Sequence, residues 1–252
     1  MGFFSIISAL RTLLVFLPAA ASLQLPRAKP PAFFLAGDST TAVVGGWGRG
    51  LLNPLIEPAW GINFGLSGAT TESFKARGYW GNLTEHVRRY AATNDAYVTI
   101  SFGHNDQKAD SGVSFELYQQ NLIDFANEVK SLGGSPLLVS SLTRRVFPRD
   151  QPHNATDSLH AQRLAALHAA DVTNSTVVDL NAASLAYVDA IGRDASWEYN
   201  YSGDDYTHLN PYGEVVFGRM VADLIVRAKP VLEMWIAPNE TLSYALWNNL
   251  PA

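Results

Sequence analysis

No cysteine occurs in the 252 residues, which removes disulfides, thiolate metal sites and cysteine nucleophiles together. Charge is sparse, at 16% of residues, and neither sign dominates: 18 basic against 23 acidic side chains leave a net charge of −5. With no basic excess there is no footprint to release phosphate counterions, so nucleic acid is excluded as a partner. No apolar run is long enough to span a bilayer, which argues against a membrane partner. Metal and nucleotide signatures are missing too. No H-E-x-x-H and no G-x-x-x-x-G-K-[ST] is present, and no His/carboxylate cluster has ligand spacing. The glycine-rich Gly45-Gly46-Trp47-Gly48-Arg49-Gly50 lacks the G-x-G-x-x-G order. No metal and no cofactor are therefore expected. What is present is 47% hydrophobic residues, enough for a substantial core in a chain of this size.

Zero cysteine by itself suggests a reducing compartment, but the N-terminus argues for export. Arg11 is the single basic side chain in the first eleven residues. Leu13-Leu14-Val15-Phe16-Leu17 follows, then Pro18-Ala19-Ala20-Ala21-Ser22. A charged segment, a short apolar core and an A-x-A-like site at Ala19 and Ala21 predict a signal peptide over residues 1–21. Five N-x-[ST] sequons, at Asn82, Asn154, Asn174, Asn200 and Asn239, agree with a secreted, extracellular glycoprotein. Residues 22–252 carry no linker, repeat or low-complexity tract, and read as one domain, expected as a monomer.

From residue 32 onward short apolar runs alternate with helical patterns. Ala32 to Ala36, Gly61 to Phe64, Ala96 to Ser101, Pro136 to Ser141 and Thr176 to Leu180 predict five strands. Phe115, Tyr118, Leu122, Phe125 and Val129 share one helix face, Leu159 to Ala170 is Ala/Leu-rich, and Asn210-Pro211 starts a last helix. Alternation of this kind predicts an α/β fold, a parallel sheet covered on both faces. Ligands of such sheets sit beyond the carboxyl ends of the strands. The residues that follow each strand are therefore the informative ones.

After the first strand comes Gly37-Asp38-Ser39-Thr40-Thr41, and after the second Gly65-Leu66-Ser67-Gly68-Ala69. Gly103-His104-Asn105-Asp106 follows the third, and Asp205-Tyr206-Thr207-His208 precedes the last helix. Each alone is an ordinary turn sequence. In this order, and at these strand ends, they resemble the four blocks of the SGNH (GDSL-type) hydrolases. Leu35 to Thr40, Phe102 to Asp106, Gly46-Trp47-Gly48 and Thr143-Arg144-Arg145-x-Phe147 are similar to the rhamnogalacturonan acetylesterase branch, a carbohydrate-esterase-family-12-like group. The likeness runs from about Ala32 to Arg227. One departure is in block two, where members of the branch often carry an arginine after the glycine and a basic residue further on. Here those places read Ala69 and Glu72.

The resemblance implies a three-layer α/β/α sandwich on a five-stranded parallel, flavodoxin-like sheet. It implies Ser39 as nucleophile, His208 as base and Asp205 as its orienter, with an oxyanion hole from the Ser39 and Gly68 N–H groups and the Asn105 side chain. The chemistry of the residues agrees, because a serine hydroxyl needs a base in reach, and that base needs a partner holding its tautomer. Asp204 is a rival orienter, but only Asp205 has the D-x-x-H spacing. Asp38 is expected to order its own turn.

Substrate contacts are expected from Trp47, His104, Arg144 and Arg145. The two arginines stand at the ligand-binding rim, suited to pairing with a sugar carboxylate, though equally consistent with a solvated loop. Trp80, Trp197, Tyr199 and Tyr201 are further aromatics near the blocks. The implied activity is a secreted serine esterase removing acetyl groups from a plant cell-wall polysaccharide, rhamnogalacturonan in particular, through an acetyl-serine intermediate. Lipase or lysophospholipase action, esterase action on xylan or other acyl esters, and non-catalytic carbohydrate binding are the alternatives.

Overall fold

A computed structural model describes residues 1–2 and 29–252. The predicted signal peptide at 1–21 lies almost wholly outside the described residues.

Five strands form one parallel sheet: β1 (Pro31–Gly37), β2 (Trp60–Asn63), β3 (Asp95–Ser101), β4 (Ser135–Val139) and β5 (Thr176–Val178), in the order β2-β1-β3-β4-β5. Helices α1 (Gly48–Leu52), α2 (Thr71–Ala76), α3 (Tyr79–Tyr90), α4 (Phe115–Ser131) and α5 (His160–Val172) lie in the connections, and α6 (Leu180–Trp197) and α7 (Pro211–Ala228) follow β5. The sandwich follows from period-two burial in a sheet covered on both sides. Phe33 and Leu35 of β1 pack on one face with Leu51, Phe217, Val221 and Ile225 of α1 and α7. Phe34 and Ala36 pack on the other with Leu83, Val87, Phe125 and Val129 of α3 and α4. The architecture is the α/β/α sandwich expected from the sequence.

Residues after α7 close the first face. A 3-10 turn (Pro230–Trp235) and α8 (Glu240–Trp247) bury Leu232, Ile236, Leu242 and Leu246. Trp247 Nε1 donates to Asp223 Oδ2 of α7 at 2.7 Å, and the Arg227 guanidinium lies over the same indole.

β1 lies between β2 and β3, the point at which the strand order reverses. Its carboxyl end therefore opens into a crevice between two diverging connections. Ser39 stands two residues beyond Gly37.

Candidate active site

The loop after β1 is held by its own aspartate. Asp38 Oδ1 accepts from the Thr40 N–H and hydroxyl, both at 2.8 Å, while its carbonyl accepts from Thr41 and Ala42. The side chain is fully buried, and burial pushes its carboxyl up to about 6. Asp38 thus braces the turn that presents Ser39.

Ser39 Oγ lies 2.8 Å from His208 Nε2, and His208 Nδ1 lies 2.8 Å from Asp205 Oδ2. The other Asp205 oxygen accepts from the His208 and Thr207 backbone N–H groups at 2.9 and 3.1 Å. Burial alone would raise the Asp205 carboxyl. The His208 and Thr207 donors outweigh it and hold the group below the usual carboxylate range. An ionised carboxylate only accepts, so Nδ1 carries the proton and Nε2 faces the serine as acceptor. Asp204 instead accepts from Ser202 Oγ and is exposed, so Asp205 is the residue on the ring.

Several elements fix the His208 loop. Asn210 caps α7 by accepting from the Tyr212 and Gly213 N–H groups, and Pro211 begins the helix. The His208 carbonyl accepts from Arg145 Nη2 at 2.6 Å and from the Tyr201 N–H at 3.0 Å. Behind the ring runs Gly45, at φ +83°, where an added Cβ would stand 3.3 Å from His208 Cβ. Its N–H donates to the buried carboxylate of Glu214 at 2.7 Å.

The donors implied for the oxyanion hole face the same side. Among the described residues, neither the Ser39 nor the Gly68 N–H donates to a protein acceptor. Gly68 takes φ +77° with open space where a Cβ would be, so the left-handed backbone, not crowding, calls for glycine. Asn105 gives one amide hydrogen to the Ala69 carbonyl at 3.0 Å, leaving the second for a ligand. Its Oδ1 accepts from Lys108 Nζ at 2.8 Å. Asp106, whose carboxyl burial raises, accepts from the Thr71 N–H and hydroxyl and so ties block three to α2.

A cavity of about 400 Å³ opens above these groups, lined among others by Val44, Gly45, Ser67, Lys108 and Tyr201. Lys108 was not anticipated from sequence. Its signal was the position three residues after Asn105, where a tight turn (Lys108 N–H to Asn105 carbonyl, 3.1 Å) folds the side chain back. Tyr201 is the sequence-nominated aromatic that does line the cavity. Trp80 and Tyr199 are buried in the core.

Four expected substrate contacts are elsewhere. Trp47 is wholly buried in the core. His104 is buried too, with Nε2 bonded to the Leu142 carbonyl at 2.9 Å, and burial reinforced by the Arg144 charge pushes the ring down to about 3. It stays neutral and out of reach of substrate. Arg145 is fully buried, donating to Asn200 Oδ1 at 2.6 Å as well as to the His208 carbonyl. Arg144 reaches Thr207 Oγ1 at 3.3 Å and Ser158 Oγ at 2.9 Å. Both arginines are struts around the Asp205–His208 loop, not forks for a sugar carboxylate. The same strut removes one sequon from the expected set. Asn200 is buried against Arg145 and has no room for a glycan, whereas Asn82, Asn154, Asn174 and Asn239 are exposed.

Rhamnogalacturonan acetylesterase RhgT of Bacillus subtilis is 30% identical over 214 residues, covering 77% of this chain and 89% of that protein. Among solved structures, Bacillus subtilis protein YXIM superposes with a TM-score of 0.69 at 19% identity, over 79% of this chain and 57% of that one. A mutant of Axe2, an acetyl-xylooligosaccharide esterase from Geobacillus, gives 0.57 at 22% identity, over 80% and 94%. At such identities the two structures speak for the fold alone. The model of the GDSL-like lipase/acylhydrolase family matches residues 35–215, a span that holds Ser39, Gly68, Asn105, Asp205 and His208. The chain belongs to that family and is an esterase/acylhydrolase of the GDSL type.

Proposed function

We propose that the protein is a secreted serine acetylesterase that deacetylates a plant cell-wall polysaccharide, rhamnogalacturonan by preference. One observation carries the catalytic part: the unbroken hydrogen-bonded series Ser39–His208–Asp205 beside uncommitted N–H donors. Ser39 Oγ attacks the acetyl carbonyl as Nε2 takes its proton. The oxyanion is met by the Ser39 and Gly68 N–H groups and Asn105 Nδ2. The sugar oxygen leaves with the proton from His208, and acetyl-Ser39 remains. Water then attacks the acyl group, gives its proton to His208, and acetate departs as Ser39 regains its hydrogen. Asp205 stabilises the imidazolium in both halves.

The polymer is inferred from the relatives. RhgT is named for rhamnogalacturonan and Axe2 for acetylated xylo-oligosaccharides, and this chain aligns with the former over most of its length. The wide-mouthed cavity, with Ser67, Asn105 and Lys108 in its lining, suits a sugar ester better than a long acyl chain. Export is inferred from residues 1–21 and the exposed sequons. Acetate release from acetylated rhamnogalacturonan, homogalacturonan and xylan, set against p-nitrophenol release from a long-chain p-nitrophenyl ester, tests the substrate. Fastest release from rhamnogalacturonan is expected. Turnover of the long-chain ester alone would make the protein a lipase.

A further inference from the structure

A second cavity lies on the far side of the His208 loop. It measures about 320 Å³ and is lined by Arg145, Val146, Phe147, Arg149, Arg193, Trp197 and Tyr206. Three of the seven are arginines and none is acidic. In a chain of net charge −5 with sparse charge, that concentration is unusual.

The fold builds it from two parts. Arg144 to Arg149 follow β4, and Arg193 follows the kink at Gly192 of α6, where φ is +82°. That kink turns Arg193 onto the carbonyls of Pro148 and Arg149, which accept from its Nη2 at 2.6 and 2.7 Å. Trp197, 38% exposed, leans on the Tyr206 ring at 5.5 Å and fixes its own Nε1 on the Arg145 carbonyl at 3.1 Å. Arg145 is wholly buried, and its Nη1 has no hydrogen-bond partner. The exposed Arg149 makes no ion pair among the described residues. The cavity therefore offers the exposed guanidinium of Arg149 as its free donor, while the buried Arg145 and the committed Arg193, which stands 5.8 Å from the Trp197 ring, contribute charge. Its volume is at the small end of ligand sites, enough for a single sugar ring. Tyr206 adjoins Asp205, so the cavity flanks the loop that carries the base.

We propose that this cavity is a binding subsite for a carboxylated sugar, one uronate residue of the polymer chain whose acetyl group is delivered to Ser39. The carboxylate pairs with Arg149 and the positive field of Arg145 and Arg193, and the ring lies on Trp197. This rests on the rhamnogalacturonan reading above and assigns the place where a uronate unit of such a polymer is held. It also moves uronate recognition from Arg144 and Arg145, which serve as struts, to the outer face of the same loop.

Calorimetric titration with unacetylated trigalacturonate, xylotriose and sodium acetate tests the subsite. Trigalacturonate is expected to bind at least about tenfold more tightly than xylotriose, and more weakly as salt rises. Arg149→Gln should weaken it about tenfold and Arg149→Glu further, because each removes or inverts a charge on an exposed loop. Trp197→Phe, which keeps an aromatic face without the bond to Arg145, should cost less than Trp197→Ala. Acetate alone should not compete, since a lone carboxylate lacks the ring. Equal binding of the acidic and neutral trisaccharides, no binding of either, competition by acetate, or wild-type affinity in both Arg149 variants overturns the subsite. Fluorophosphonate labelling of the same preparation separates the two readings. Labelling at Ser39 with no preference for the uronate keeps the esterase and removes the subsite, while absent labelling removes the esterase reading itself.

Discussion

Lys108 changes what Asn105 can do. An amide whose oxygen is held by an ammonium cannot flip, and its remaining N–H is polarised toward the cavity. Asn105→Ala should lower kcat by about 10²–10³, or about 2.7–4 kcal/mol, in a chain that still folds, with a modest stability loss from the Ala69 carbonyl left without its donor. Lys108→Met should show a smaller loss in kcat with KM for p-nitrophenyl acetate unmoved, partly rescued by Lys108→Arg. A change in KM alone would assign Lys108 to substrate binding instead.

Asp38 gives a pH signature. Its carboxyl is pushed up to about 6 by burial, so the folded state holds that proton more tightly than the unfolded chain does. Stability from this group is therefore greatest below about pH 4 and is lost as pH rises to about 6. Asp38→Asn keeps the oxygen that accepts from Thr40 and removes the titration. Relative to wild type it should gain on the order of 3 kcal/mol between pH 4 and pH 7, read from urea midpoints. A constant difference across that range contradicts the assignment. Asp205 has the opposite sign: its depressed carboxyl contributes stability that is present above its unfolded value and is lost as pH falls through the folded one.

At the level of elements, the His208 loop owes its position to long-range struts. Arg145 reaches it from the segment after β4, and Glu214 of α7 holds the Gly45 strap behind the ring. Arg145→Met leaves the His208 carbonyl short of a donor and Asn200 Oδ1 without one, a cost of about 2–4 kcal/mol. Its kcat should fall as well, since the base loses its anchor. A stability loss with full kcat would show that the loop holds itself.

The same struts explain what was legible beforehand. Strands β1, β3 and β4 announce themselves as apolar runs because a sheet buried on both faces needs them. The four blocks could be placed because they follow strand ends. Burial of Arg145, Trp47 and His104 could not be read, since the groups that enclose them are far away in sequence. Asn200 and the His208 carbonyl stand 55 and 63 residues beyond Arg145. An arginine after a strand reads as a rim residue until those partners are known. Asp205 over Asp204 was legible, because the three-residue spacing to His208 is local.

The whole molecule forms its core without cross-links. Leu242, Leu246 and Trp247 of α8 close one face of the sandwich, so the last turns contribute to the core. Truncation after Pro238 should lower stability by about 3–6 kcal/mol, from two buried leucines and a half-buried indole. Denaturant unfolding would show it, and an unchanged midpoint would make α8 a mere appendage. Zero cysteine means that a reductant leaves the melting temperature where it was, even for a protein proposed to work outside the cell.

The central claim is that Ser39, activated by His208, forms the acyl-enzyme. Mass spectrometry of the intact protein after exposure to a fluorophosphonate tests it most directly. One adduct per chain, mapped to Ser39, absent in Ser39→Ala and strongly slowed in His208→Ala, is the predicted result. An unmodified wild-type chain, or the same adduct in Ser39→Ala, would contradict it.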